Sequence, residues 1–157
     1  MLVKMDAANA GGGDNRLVNF YISSANGGAG GGKNAEWLLQ SYKEPSNNYL
    51  VNGSTATVKF VFDDTTQITN INIYNMVTGW FPQFSPSAFT LSYSDDDSTY
   101  TDIDTYTLDK GTTTAVGDKQ PFNISNSGYH KYYKIVLSGG GSYCGIHVLE
   151  FYGSIKK

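Results

Sequence analysis

Apolar side chains recur at every second position in short runs from residue 56 onward. The runs are Val58, Phe60 and Phe62; Ile71 and Ile73; Phe89, Leu91 and Tyr93; Tyr133, Ile135 and Leu137; and Leu149 and Phe151. A period of two is typical of strands that bury one face. Turn residues separate the runs at close spacing, as in "DDTTQ" between the first two. The pattern predicts an all-β fold, a β-sandwich around one core.

The first third of the chain lacks this alternation. Eight of the 18 glycines precede residue 35, which predicts a flexible or docking segment over residues 1–33 and a sandwich over residues 34–157. "LVNFYI", residues 17–22, does not alternate cleanly, so whether it supplies a strand stays open. "NAEWLLQSYKE", residues 34–44, predicts one short helix capped by Asn34 with Glu36 in its first turn.

Two polar stretches interrupt the later strands. The run Asp95, Asp96 and Asp97 lies between a strand ending at Ser94 and one resuming near Tyr100. It lacks the spacing, the glycine and the distant Glu of a calcium loop, whereas Asp tolerates the left-handed backbone of a tight turn. A turn is therefore expected. The stretch over residues 106–121 is rich in Thr and Gly and predicts a long loop or an irregular edge.

Charge and composition exclude several classes of function. The formal net charge is −3 and Arg16 is the single arginine, so a nucleic-acid partner is not expected. There is no run of eighteen apolar residues for membrane insertion, and no secretory signal is visible at the start of this chain. Cys144 is the single cysteine, which rules out an internal disulfide.

The side chains available for catalysis are few. His130 and His147 are the two histidines, and no nucleophile, zinc or phosphate-loop motif surrounds them or Cys144. His147 shares a face with Leu149 and is expected at the rim of the core, His130 is expected in solvent, and Cys144 is expected to be buried. From these residues we expect no catalytic site, and we predict that the protein is not an enzyme.

Two sequence stretches resemble a known family. "FTLSYSDDDSTYTDI", residues 89–103, followed by "YHKYYKIVLSGGGSYCGIHVLEFYG", residues 129–153, is similar to the second half of discoidin-like domains, also called coagulation-factor C-type domains. The resemblance covers roughly residues 56–153 and rests on four motifs in order. It implies a jelly-roll β-sandwich of the galactose-binding-like type that attaches to glycans, lipid headgroups or proteins without catalysis.

The family's specificity lies in loops at one end of the sandwich, which implies a site in "NMVTGWFPQFSPS", residues 75–87. That loop carries Trp80, Phe81 and Phe84, whose rings suit the C–H faces of sugars, while Asn75 and Gln83 suit their hydroxyls. Capping of the core is an equal alternative for the three rings. The loop over residues 138–145 is a second candidate, with Tyr143 projecting from glycines.

The resemblance also raises the question of a metal. Many carbohydrate-binding relatives hold a structural calcium with the first Glu of the closing strand, and that position is Val148 here. A valine side chain supplies no oxygen ligand, so no metal or other cofactor is expected. Glu150 aligns with a second acid that usually faces solvent, and it is expected there.

Two functions follow from these observations. The first is a non-catalytic module that binds glycans. The alternative is a structural or adhesion component of a larger assembly such as a bacteriophage virion, docked on neighbouring subunits through residues 1–33. The expected location is extracellular or on a virion surface.

Overall fold

The computed structural model describes residues 3–4, 16–26, 35–39, 48–77, 79–125 and 128–157. In these residues the chain forms a 3₁₀ helix over Ala35–Leu39 and strands that alternate in direction. The strands are β1 (Val3–Lys4), β2 (Phe20–Ala25), β3 (Tyr49–Asn52), β4 (Ala56–Tyr74), β5 (Ala88–Ser94), β6 (Thr101–Thr107), β7 (Lys119–Asn123), β8 (His130–Ser138), β9 (Tyr143–Ile146) and β10 (Val148–Lys156).

The long strand β4 connects two layers. Its first half pairs with β2 and β8, and that layer continues through β5 to β6. Its second half pairs with β10 on one side and β7 on the other. The pairing of β4 with β8 shifts between Val61 and Thr66. The prediction that "DDTTQ" is a turn is therefore wrong, because the strand continues through this irregularity and changes partners.

The core lies between the two layers of strands. The Phe60 ring on β4 meets the Phe151 ring on β10 edge-on at 4.9 Å, and Phe62 meets Tyr133 on β8 at 5.5 Å. Within the predicted alternating runs, every inward residue is buried except Tyr93, which is partly buried and packs against the core. The predicted β-sandwich is confirmed.

The N-terminal boundary of the sandwich lies earlier than residue 34. Strand β2 occupies Phe20–Ala25 and pairs with β4, so the second half of the open stretch, residues 20–22, joins the sheet, and residues 17–19 precede the strand. Phe20 and Ile22 are fully buried. Within the predicted helix, the structure describes a 3₁₀ helix over Ala35–Leu39. The cap Asn34, residues 40–44 and the glycine runs over residues 11–13 and 27–32 lie outside the described residues.

Two stretches predicted as loops are partly strands. Tyr106 and Thr107 end β6, and residues 119–121 begin β7, which shortens the polar loop to residues 108–118. Tyr143 and the two residues after it belong to β9, which pairs with β3. β6 and β7 expose most of their side chains and β9 has four residues, so no apolar period marks these strands in the sequence.

The aspartate run forms the predicted turn. Asp97 adopts a left-handed backbone with φ of 59°. The Asp96 Oδ1 accepts hydrogen bonds from the backbone amides of Ser98 at 2.9 Å and Thr99 at 2.8 Å. These amides, first Thr99 and then Ser98, hold the pKa of Asp96 well below its usual range. The acids therefore close the connection between β5 and β6.

No helix in the described part of the chain has both the length and the apolar character needed to cross a membrane.

Candidate functional site

The candidate loops meet at one end of the sandwich. The loop over residues 75–87 joins the end of β4 to the start of β5, and Ala88 at that start pairs with Ser138 at the end of β8. The Gly145 amide donates to the Phe84 carbonyl at 3.1 Å, and the Leu108 amide donates to Ser87 at 2.8 Å. The structure thus brings together the two loops that the sequence singled out, with residues 108–118 beside them.

Phe81 anchors its loop to a small apolar cluster. Its ring is 7% exposed and packs with Leu50 and Met76, which are also buried. Two backbone hydrogen bonds, from Phe84 to Trp80 and from Ser85 to Pro82, fold the loop over this cluster. The buried Phe81 ring is not presented to solvent, so the ligand-binding role expected for it is replaced by core capping.

Three other aromatic side chains pack on the same cluster and stay half-buried. They are Trp80, Phe84 and Tyr143, which we call the aromatic rim. The Phe84 and Tyr143 rings meet at 4.9 Å with an angle of 70° between their planes. Each of these residues packs against the cluster and stays partly accessible to solvent. Such rings are held in place before a ligand arrives.

Asn75 is a structural residue. It is 4% exposed. Its Nδ2 donates to the Thr114 Oγ1 at 3.0 Å and to the Ala115 carbonyl at 2.8 Å, and its Oδ1 accepts from the Gln120 Nε2 at 2.7 Å. The amide thus holds the loop over residues 108–118 from a buried position, which argues against the ligand-binding role expected for it. Gln83, by contrast, is exposed beside the rim.

Asp109 organises the neighbouring loop, and sequence reasoning missed it. Its carboxylate accepts hydrogen bonds from the backbone amides of Gly111, Thr112, Thr113 and Thr114 and from the Thr114 hydroxyl. The Thr114 hydroxyl, followed by these amides, holds the Asp109 pKa well below its usual range. An Asp followed by Gly and Thr residues is a signal for such a turn.

Lys110 ties two of the loops together. Its Nζ donates to the Gly139 carbonyl at 2.9 Å. Two glycines of the second loop are required by close packing, because a Cβ at Gly140 would collide with the Tyr143 carbonyl and one at Gly145 with the Tyr49 carbonyl. Gly140 lets the loop fold back onto Tyr143 and Cys144, and Gly145 lets β9 approach β3.

Glu150 is buried, which corrects the expectation that it faces solvent. It is 8% exposed, and its Oε1 lies 3.5 Å from the Arg16 Nη1. Its Oε2 accepts from the Asn72 Nδ2 and from the hydroxyls of Tyr74 and Tyr152, all within 3.2 Å. Burial, followed by the Glu150 charge, raises the pKa of Tyr74 to about 12. The chain around Arg16 pairs with β10 at Tyr152 and covers the acid.

The closing strand does not fit the calcium site that the family resemblance implies. The Val148 side chain is fully buried and apolar, and the Glu150 carboxylate is already held by a cation and three donors. Calcium binds through six to eight oxygen atoms. Neither side chain offers a free one.

The residues weighed for catalysis lie in two parts of the structure, with Cys144 and His147 in or beside β9 and His130 at the start of β8. Cys144 and His147 are fully buried, which confirms the expectation for Cys144 and places His147 deeper than the rim of the core. The expectation that His130 is solvated is wrong. Its ring stacks on Tyr93 at 3.7 Å, and its Nδ1 lies 2.8 Å from the Asp95 Oδ1 at the opposite end of the strands from the aromatic rim.

Comparisons with known proteins give a clear result for the fold. No protein-family model matches the chain, and no curated protein matches it in sequence. Among solved structures, the module CBM32-3 from a family 31 glycoside hydrolase of Clostridium perfringens has a TM-score of 0.71 at 13% identity, covering 95% of this chain and 99% of that one. The module CpGH89CBM32-5 of the same organism, in complex with GalNAc-β-1,3-galactose, has a TM-score of 0.68 at 13% identity, covering 86% and 96%.

An F5/8 type C domain of Bacteroides fragilis also shares the fold, with a TM-score of 0.59 at 12% identity over 72% of this chain and 77% of that one. The predicted resemblance to discoidin-like domains is confirmed at the level of the fold. The chain shares the β-sandwich fold of these domains and of family 32 carbohydrate-binding modules.

Proposed function

We propose that this chain is a non-catalytic module that binds a glycan, with one sugar ring stacked on the aromatic rim. The observation that carries the proposal is the clustering of Trp80, Phe84 and Tyr143 as half-buried rings on the buried Phe81 cluster. A sugar presents a C–H face that packs on such rings, and rigid aromatic side chains lose little conformational entropy on binding.

Polar groups beside the rim complete this proposed site. Gln83 is exposed next to Phe84, and its carboxamide can both donate to and accept from sugar hydroxyls. Asp109 folds its own loop, Lys110 links that loop to the Gly139 carbonyl, and the Gly145 amide links β9 to Phe84, which supports a fixed arrangement of the rim. The neighbour solved with GalNAc-β-1,3-galactose supports a search that begins with galactose-type sugars.

The test is a glycan array read with wild-type protein, Trp80→Ala and Phe84→Ala. We expect each variant to lose about 1–3 kcal/mol of binding free energy, because anchor residues at interfaces contribute on this scale. Tyr129→Ala is the matched control, since Tyr129 is an aromatic residue with 41% exposure at the opposite end of the strands. The control should bind as the wild type does. Unchanged glycan binding by both folded rim variants would exclude the aromatic rim as the site.

A further inference from the structure

A polar depression, separate from the aromatic rim, lies on the outer face of the layer formed by β7, β4 and β10. It has a volume of about 250 Å³ and is lined by Thr69, Asn70, Asn72 and Tyr152. Ile71 and Ile73 alternate with these asparagines and point into the core, so Asn70 and Asn72 project outward. The depression lies near the end of β4, at residues 69–72, and its lining shares no residue with the aromatic rim.

The base of this depression is neutral and rigid. The Glu150 charge is balanced by Arg16 at 3.5 Å, and both side chains are at least nine-tenths buried. The Tyr152 hydroxyl and the Asn72 Nδ2 both donate to the Glu150 Oε2, each at 3.1 Å. These hydrogen bonds fix the Tyr152 ring and the Asn72 amide in orientation. A neutral base gives neither an anion nor a cation an electrostatic advantage.

The carboxamides are oriented by their own hydrogen bonds. The Asn70 Nδ2 donates to the Asn123 Oδ1 at 2.6 Å, and the Thr69 Oγ1 donates to the Asn70 Oδ1 at 3.0 Å. Because the Asn72 Nδ2 is committed to Glu150, its Oδ1 lies on the other side of the amide group. No described residue donates a hydrogen bond to that oxygen. The Asn72 Oδ1 is therefore a hydrogen-bond acceptor with a fixed orientation, and it lines the depression together with the Tyr152 ring.

We propose that this face is a second binding site, which takes one neutral sugar ring of a glycan. The volume of about 250 Å³ is below the roughly 300–1,000 Å³ of pockets for drug-sized ligands and suits one sugar ring. Amide groups that both donate and accept match vicinal hydroxyls, and the Tyr152 ring offers a surface for the C–H face. This site does not depend on the aromatic rim, and either can bind without the other.

Nuclear magnetic resonance of the full ¹⁵N-labelled chain reports on the two sites separately. The side-chain amide signals of Asn70 and Asn72 report on the polar depression lined by Thr69, Asn70, Asn72 and Tyr152, which we call the sheet face. The indole N–H of Trp80 reports on the aromatic rim. The probes are methyl β-galactoside, methyl β-glucoside, methyl α-mannoside and N-acetylglucosamine, each added to about 50 mM so that a millimolar Kd is detected. We expect at least one probe to shift the asparagine signals saturably, and to do so equally in Trp80→Ala.

Variants of the sheet face distinguish loss of sugar stacking on Tyr152 from loss of the folded structure. Tyr152→Ala should weaken sheet-face binding about 10-fold, whereas Tyr152→Phe keeps the ring and should stay within about 3-fold of wild type. Asn70→Ala removes a lining amide without touching the Glu150 network, and it should weaken binding even if Tyr152→Ala does not fold. Thr105→Ala, an exposed site on the outer face of the other layer, is the control and should bind normally.

Three results would overturn the proposal. One is the absence of a saturable shift of the Asn70 and Asn72 signals with all four sugars. Another is equal sugar affinity in wild type, Tyr152→Ala and Asn70→Ala. The third is a shift of these signals with N-acetyl-triglycine amide but with none of the sugars, which would assign the face to a polypeptide partner instead.

Discussion

Neighbouring aromatic residues in the loop over residues 75–87 differ in burial. Phe81 is 7% exposed and lies within the cluster of Leu50 and Met76, while Trp80 and Phe84 pack on that cluster from outside. The sequence left core capping and ligand contact as equal alternatives. The burial assigns capping to Phe81, and ligand contact by Trp80 and Phe84 remains the proposal.

Phe81→Ala should destabilise the protein by about 3–5 kcal/mol, because removing a fully packed ring leaves a cavity under the loop. Urea unfolding followed by tryptophan fluorescence measures this free energy. Trp80→Ala should cost clearly less by calorimetry, since its half-buried ring gives up fewer contacts. Equal losses for the two variants would mean that Trp80 is also a core residue and would weaken its assignment to the aromatic rim.

Single residues also show what sequence reasoning could not reach. Asn75 and Glu150 are polar residues in positions that sequence alone places at a surface, yet each is buried in a hydrogen-bond network. The partner of Asn75 is Gln120 on β7, and the partner of Glu150 is Arg16, far away in the chain. Burial of a polar group depends on such long-range partners. No local pattern contains that information.

At the scale of strands, predictability follows the alternation of side chains. Phe60, Phe89 and Ile135 lie in strands whose apolar residues recur at every second position, and all three are buried as predicted. β3 and β9 have four residues each, too short to show a local period. Each forms a strand by pairing with the other, which lies far away in the chain. β2 lies in a run whose burial pattern follows the two-residue period for only part of its length. Its place in the sheet depends on Phe62 and Phe151, which lie far along the chain.

Strand β2 makes a clear prediction for truncated proteins. Deleting residues 1–26 removes Phe20, whose ring packs on Phe60, Phe62 and Phe151 at 5.0–5.8 Å, so we expect loss of cooperative thermal unfolding. Deleting residues 1–15 keeps β2 and Arg16, and cooperative unfolding should persist. Calorimetry of both proteins makes the comparison. A cooperative transition in the longer deletion would show that the sandwich folds without β2.

At the scale of the molecule, one strand supports both proposed sites. The loop of the aromatic rim begins directly after β4. Asn70 and Asn72 of the sheet face lie within β4 itself. The two layers share a single core, so a ligand at either site stabilises the same folded state. The melting temperature of the whole protein therefore reports binding anywhere on it, including binding of a metal ion.

Calcium should leave that melting temperature unchanged. A ligand that binds only the folded state stabilises it by RT ln(1 + [L]/Kd), and calcium needs six or more oxygen ligands. Val148 offers none from its buried side chain, and the Glu150 carboxylate is held by Arg16 and by the Tyr74 hydroxyl. Thermal unfolding with millimolar calcium, and then with a chelator in excess, tests this. A saturable rise that the chelator reverses and that Glu150→Gln abolishes would instead identify Glu150 as a calcium ligand.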